Sequence, residues 1–368
     1  VQWHEGLRMW LTFTHAAANA VLRTRSLGRV WTPRWPDEPM PAFELIHVNS
    51  LLEAEPPMHT RLRRLIAGAF SRGHVERLRP RVDELARRLA DRVADAGSGG
   101  SPVDLIALYA EPLPVQVIAE LLGIPEADWP LLRPWSNAIV KMYEYEVSPE
   151  QKRAAETASA EFVAYLRELV AARRLAPTDD LVSGLIAETD GDGARLSEDE
   201  LVTTCTLLLN AGHEASVNVV GNGVSALLQH PDQIVGVDDD AAVARAVEEL
   251  IRFDSPLQLF ERTATADTAI GDVVVEAGTK IAALLGAANR DPRVFAEPDR
   301  FDVTRSDNPH LGFGAGIHFC VGAPLARLEL QASLRTLLRR FPRLALHAPP
   351  ARRPEFVIRG VRSLLVTT

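Results

Sequence analysis

Cysteine is almost missing from this chain, with two in 368 residues. A disulfide framework is therefore excluded, and a reducing compartment is the natural setting. Excess basic charge is missing too. The 40 lysines and arginines are outnumbered by 49 acidic residues, a formal net charge of −9, which argues against a nucleic-acid partner. No apolar run reaches the length of a membrane span and no basic-then-apolar leader opens the chain, so a cytoplasmic protein with no membrane partner is expected. Solenoid repeats and low-complexity tracts are also lacking. The stretch GSGGSP (97–102) reads as a loop between helical patterns, and ETDGDGARLSEDE (188–200) as a turn-rich connector. Neither is a linker, so a single domain over 1–368 is expected.

What is present is a globular composition, 46% hydrophobic and 24% charged. RMWLTF (8–13) alternates as a strand does, and HAAANAVLRT (15–24) is helical. Residues 26–57 are proline-rich and too irregular for a long regular element. Helical periodicity then dominates in HTRLRRLIAGAF (59–70), VERLRPRVDELARRLADRVADA (75–96), PLPVQVIAELLGI (112–124) and SPEQKRAAETASAEFVAYLRELVAARRLA (148–176). Ser197 through Glu200 form a capping box that opens the longest helix, which runs to about Gln229. At 1.5 Å per residue that helix is roughly 50 Å long. DAAVARAVEELIRF (240–253) follows as a helix, and TAIGDVVVEAGTKIAAL (268–284) as a hairpin with turns at Gly271-Asp272 and Ala277-Gly278. APLARLELQASLRTLLRRF (323–341) is the last helix. The balance predicts a mostly α fold with small β-sheets, its strands at the two ends of the chain.

One of the two cysteines stands in FGAGIHFCVG (313–322). Gly314, Gly316 and Gly322 let the backbone lie against a flat group or take positive φ. Cys320 precedes a helix whose Pro324 suits the first turn, so unpaired N–H groups and the helix's positive end favour a thiolate there. Phe313 and Phe319 would keep water from the sulfur, and His318 adds a donor two residues away. These features suit a thiolate on one face of a planar metal cofactor, although a lone cysteine is more often a small buried hydrophobe. Zinc is disfavoured, because Cys320 and His318 offer two ligands with no second Cys/His pair nearby.

FGAGIHFCVG followed by APLARLEL closely resembles the haem-binding signature of the cytochrome P-450 superfamily, bacterial soluble class. Other family motifs follow in order along nearly the whole chain. The resemblance implies the triangular-prism fold, haem b (iron protoporphyrin IX), and Cys320 as the axial thiolate on haem iron, a ligand that favours O–O cleavage. Phe313, Gly314 and Gly322 are implied to seat the cofactor. EELIR (248–252) puts Glu249 and Arg252 on one helix face. Alone, that spacing reads as a solvated pair; by resemblance it is the family's structural Glu-x-x-Arg pair beneath the haem. PPMHTRLRRLIAGAF (56–70) resembles the family's C-helix, implying that His59 and Arg63 meet a haem propionate. FERTATAD (260–267) supplies Arg262 as a second propionate partner, and His318 matches a third contact. Arg61 and Arg64 are left to face solvent, as a positive patch for an acidic electron donor. The family's usual N-terminal helix has no counterpart before the first strand, and the connection after HPDQ (230–233) is shorter than usual.

The long helix carries LNAGHEAS (209–216), where Ala211 and Gly212 leave room for a diatomic and the acid Glu214 follows. This resembles the family's dioxygen groove, Ala-Gly-x-Glu/Asp-Thr, with one departure: Ala215 stands where threonine is usual. Ser216 lies about 100° further round the helix, a poor geometric substitute. A water or the substrate's own hydroxyl replaces the missing group, or Glu214 and Ser216 manage through a local distortion, or oxygen activation is impaired. A zinc-peptidase motif is excluded, because Val217 holds the place of the second His of His-Glu-x-x-His.

The resemblance implies a monooxygenase that inserts one oxygen atom of dioxygen into a small or medium-sized organic substrate, by hydroxylation or epoxidation, in the manner of secondary metabolism. Electrons would come from ferredoxin and ferredoxin reductase with NAD(P)H, Glu214 would relay protons, and a monomer is expected. Ala215 keeps two alternatives open: a peroxide-driven peroxygenase and a non-catalytic haem-binding module. Leu208, Leu257, Phe260 and Val357 are expected to line the substrate pocket, with Trp31, Trp35, Phe43 and Tyr143 beside them.

Overall fold

Side-chain caps and apolar periodicity set the element boundaries in the computed structural model, which describes every residue except 36, 190–192, 194, 235–236 and 238. The chain runs through β1 (Gln2–His4), β2 (Met9–Thr12), α1 (His15–Arg23), β3 (Leu27–Gly28), α2 (Pro41–Val48), α3 (Met58–Ala67), α4 (Arg72–Ala96), β4 (Val103–Asp104), α5 (Pro112–Leu122), α6 (Trp129–Val140) and α7 (Pro149–Leu175). It continues through α8 (Leu181–Ala187), α9 (Glu198–Gln229), α10 (Pro231–Ile234), α11 (Asp240–Phe253), β5 (Leu259–Ala264), β6 (Thr268–Ile270), β7 (Val273–Val275), β8 (Lys280–Leu284), α12 (Leu285–Ala288) and α13 (Ala323–Arg340). Four short strands close it: β9 (Ala345–Leu346), β10 (Ala351–Arg352), β11 (Val361–Ser363) and β12 (Leu365–Thr367). Helix outweighs strand, as the periodicity predicts.

Two local expectations need amendment, and two more fall partly outside the described residues. The proline-rich stretch contains a helix, α2, because Pro41 sits in its first turn, where a missing N–H costs nothing. A strand, β4, lies away from both ends of the sequence and pairs with β12 through Leu365 opposite Asp104 and Val366 opposite Val103. Residues 190–192 and 194 of the turn-rich connector, and 235, 236 and 238 after HPDQ, lie outside the described residues.

The chain falls into two compact units. The first comprises residues 1–28, 76–113 and 215–368. Its main sheet has the order β1-β2-β8-β5-β3. β2 lies parallel to β8, Met9 opposite Lys280 through Thr12 opposite Ala283, while β5 is antiparallel to β8. Helix α1 covers this sheet with Ala18, Val21 and Leu22 packed in one cluster with Ile281, Ala283, Leu311 and Ala315. Burying one such Leu or Ile stabilises the fold by about 1.5–3 kcal/mol. The Glu249–Arg252 pair also lies here, and both side chains are 0% exposed. The solvated reading of its spacing therefore fails. Arg252 forms a two-pronged bond to Glu249 (2.7 and 2.8 Å) and also donates to the Asn289 and Pro298 carbonyls. Glu249 accepts from the Asp302 N–H and from Arg305. A buried charge pair needs this degree of saturation to persist.

The second unit comprises residues 29–75 and 114–214. Within it α6 packs on α7, with Trp135 stacked on Phe162 at 5.1 Å and its indole N–H donating to Glu161. Ser148 and Gln151 cap α7 reciprocally, and Ser197 and Glu200 do the same for α9 at 2.9 and 3.2 Å. Among the described residues no helix is long and apolar enough to cross a membrane.

Candidate active site

The loop that carries Cys320 is shaped by glycine and closed by backbone hydrogen bonds. Gly314 and Gly316 have φ of +68° and +72°, where a side chain would be strained. A Cβ on Gly316 would also run into the Leu22 carbonyl. Gly322 differs from the expectation: its φ is −81°, and it serves as the N-cap of α13. The Cys320 N–H donates to the Phe313 carbonyl at 2.9 Å, and the Cys320 carbonyl accepts from Ala323 in the first turn of α13. The sulfur-bearing residue is thus fixed at a helix N-terminus, whose positive end stabilises a thiolate. Cys320 and His318 are half-buried, and Phe319 is 40% exposed. The other cysteine, Cys205, is fully buried, and burial pushes its thiol up to about 12, so it stays protonated and unreactive.

Several expected residues gather beside this loop in the same unit. Phe260 approaches Gly314, and the buried Arg262 lies with its guanidinium 5.9 Å from the Phe260 ring. Leu257 bridges to Ile358, and the Gln258 N–H donates to the Val357 carbonyl, so the segment leading into β5 is held beside residues 357–358.

On α9, Leu207 and Ala215 are half-buried and Ala211 is exposed, while Leu209, Asn210, His213 and Glu214 are buried. Positions 207, 211 and 215 are four apart, so they form one apolar strip along the mostly buried middle of the helix. Leu208 is 6% exposed, and Leu207 beside it is half-buried. Gly212 is small for a packing reason: a Cβ there would meet Ile118 of α5 at 2.8 Å. His213 is bound to Ser136 at 3.2 Å, a helix-to-helix contact.

Ser216, next to the Ala215 departure, shares a hydrogen bond with Glu329 of α13. Glu329 is 3% exposed. Burial raises its carboxyl well above the usual range, and the Ser216 bond offsets this only in part. The sequence reading missed Glu329, which looks like any polar position of a helix.

In the second unit, His59 is buried and Arg63 half-buried on α3. Arg61 is bound to Glu200 rather than facing solvent, while Arg64 is exposed. An aromatic cluster surrounds His47, a residue the sequence reading did not select. Its ring stacks on Trp31 at 4.4 Å, donates from Nδ1 to the Phe43 carbonyl at 2.7 Å, and accepts at Nε2 from the Tyr143 hydroxyl at 3.3 Å. Desolvation lowers the His47 pKa, so the ring is neutral, in keeping with those two roles. Trp35 stands apart from this cluster, between the cations of Arg34 and Lys152.

Within the first unit, one thiolate-favouring cysteine, apolar residues and a buried arginine fit an iron porphyrin, which asks for one soft axial ligand, apolar contact with its ring and cations for its propionates. That donor set defines a haem-thiolate oxygenase. The cytochrome P450 family profile matches residues 242–360. The chain is 40% identical over 365 residues to cytochrome P450 monooxygenase PikC of Streptomyces venezuelae, covering 98% of this chain and 85% of that protein. It is 42% identical over 356 residues to mycinamicin IV hydroxylase/epoxidase of Micromonospora griseorubida, covering 94% and 85%. The crystal structure of P450BioI in complex with hexadec-9Z-enoic acid ligated acyl carrier protein superposes with a TM-score of 0.91 at 35% identity, over 98% of this chain and 92% of that one. The chain belongs to the cytochrome P450 family. It is a monooxygenase of the bacterial secondary-metabolism type, with haem b as cofactor, an organic substrate and redox partners.

Proposed function

We propose that this enzyme hydroxylates or epoxidises a small or medium-sized organic molecule, acting as a cytoplasmic monomer with one catalytic domain over residues 1–368. Ferredoxin and ferredoxin reductase, driven by NAD(P)H, deliver the electrons. The observation that carries the reading is the seat of Cys320 at the mouth of α13, with its N–H bound to Phe313 and glycines at positive φ before it. Cys320 ligates the haem iron from that seat. Phe313, Gly314 and Gly322 border the macrocycle, and Arg262, His318, His59 and Arg63 bind its propionates. Bound there, the haem supplies activation of dioxygen, which the thiolate assists.

The chain's own work is to exclude water, hold the substrate and deliver protons. Leu257, Phe260 and Val357 give the substrate an apolar wall, and Ala211, Gly212 and Ala215 leave the α9 backbone approachable. Glu214 relays protons from one side. The Ser216 hydroxyl donates to the buried Glu329 carboxyl, whose raised pKa makes it a second proton source one residue beyond the position where threonine is usual.

The test of ligation is the Soret band of the reduced, carbonyl-bound protein. The thiolate-type position supports Cys320 as ligand; the histidine-type position, or no pigment, refutes it. Ala215 favours one second reading, peroxide-driven oxygenation, since the residue that usually steers protons is gone. Turnover with ferredoxin and NAD(P)H, compared with peroxide alone, separates the two.

A further inference from the structure

The cysteine loop is held from behind by a residue that none of the haem-site motifs includes. Glu248, beside the buried Glu249 on α11, forms a two-pronged bond to Arg327 of α13: Nε to Oε1 at 2.6 Å and an Nη to Oε2 at 2.8 Å. The same carboxylate accepts from His310 Nε2 at 3.0 Å. His310 Nδ1 in turn accepts the Gly312 N–H at 3.1 Å, so the imidazole is the neutral tautomer with its hydrogen on Nε2. Arg327 lies over the Phe313 ring, 4.4 Å from its centroid. The Phe313 carbonyl accepts the Cys320 N–H. The contacts form a closed circuit: carboxylate to guanidinium, guanidinium to ring, ring residue to cysteine, and carboxylate through His310 back to the start of the loop.

This circuit does two things. A guanidinium stacked on a ring and forked onto a carboxylate has one orientation, so the ring it covers is fixed. The carboxylate also neutralises a cation that lies directly against Phe313 of the ligand loop. Charges and hydrogen bonds around a ligating sulfur are among the levers that set the potential of its metal. We propose that Glu248 is a positioning residue for the Cys320 ligand: it clamps Arg327 on Phe313, cancels that cation, and thereby sets the reduction potential of the bound haem. The proposal rests on Cys320 being the haem ligand.

The test is a spectroelectrochemical titration of the haem-loaded protein and of three variants, Glu248→Gln, Arg327→Gln and the double substitution, with the carbonyl Soret band recorded for each. Glu248→Gln leaves a bare cation near the thiolate, which stabilises the reduced state and shifts the potential upward. Arg327→Gln leaves a bare carboxylate and shifts it downward. The double variant, with neither charge, returns toward the parent value. A purely mechanical role does not yield opposite signs. Single variants that shift in the same direction, or not at all, while keeping the thiolate-type band overturn the proposal. Where a single variant fails to retain haem, recovery of haem in the double variant supports the charge argument, and failure of the double variant as well overturns it. A histidine-type band in the unmutated protein would instead sink the haem-thiolate reading, so the two failures are told apart.

Discussion

Ser216 on α9 and Glu329 on α13 are joined by a hydrogen bond inside the first unit, and both side chains are buried. The bond puts a carboxyl of raised pKa one residue from the position where threonine is usual. Glu329→Gln copies the shape of that acid but has no proton to give. Product formation per electron consumed should fall by about 100-fold, within the range for loss of a general acid, with the carbonyl Soret band unchanged. Coupling equal to that of the parent enzyme would remove Glu329 from the proton path.

The same group makes a stability prediction with a definite sign. The folded-state pKa of Glu329 is raised above the ordinary 4.5, so the folded protein keeps a proton that the unfolded chain releases. Stability is greatest below that value and declines as pH rises through it toward the folded-state value. Urea midpoints of Glu329→Gln across that range should show a shallower decline than the parent.

Glu248 acts in the other direction. Burial alone would raise its pKa, but hydrogen bonds from Arg327 and His310 outweigh burial and bring it to about 2. Its contribution is present above the ordinary 4.5 and lost as pH falls toward 2. Glu248→Gln should therefore flatten the acid limb of the stability profile, read by fluorescence-monitored unfolding between those two values.

Glu249→Gln leaves Arg252 with a weakened partner in a site where both side chains have no exposure. Breaking a buried pair from one side costs about 3–5 kcal/mol. A denaturant midpoint close to the parent's would show that the Asn289 and Pro298 carbonyls hold Arg252 unaided.

Ala215→Thr returns the usual hydroxyl to the open strip of α9. Coupling should rise severalfold for substrates that carry no hydroxyl of their own, and little for those that do. Oxygen uptake measured against product formed decides it, and no gain with either class counts against a proton gap at this position.

How much could be read from the sequence follows from how local each signal is. The cysteine loop was legible because glycines, aromatics, cysteine and Pro324 sit within a dozen residues, each with its own backbone consequence. The capping box at Ser197–Glu200 is equally local and marked the start of α9 correctly. Glu329 was not legible, because only tertiary packing distinguishes a buried acid from the many exposed ones on helices. The Glu249–Arg252 spacing taken alone pointed to solvent for the same reason. Arg61 was placed in solvent because its partner, Glu200, lies in a distant segment. Strand β4 is two residues long, too short for any alternation. Helix α2 did leave a signal: Pro41 followed by AFELIHV is a helix start inside a proline-rich stretch.

The contact between Gly316 and the Leu22 carbonyl ties the cysteine loop to the first helix of the chain. β2 reinforces the tie by running alongside β8, far downstream in sequence. A ribosome must therefore release residues through the cysteine loop before α1 and β2 meet their final neighbours. Contacts so remote in sequence slow folding, and haem capture during synthesis should wait until the cysteine loop has returned to α1.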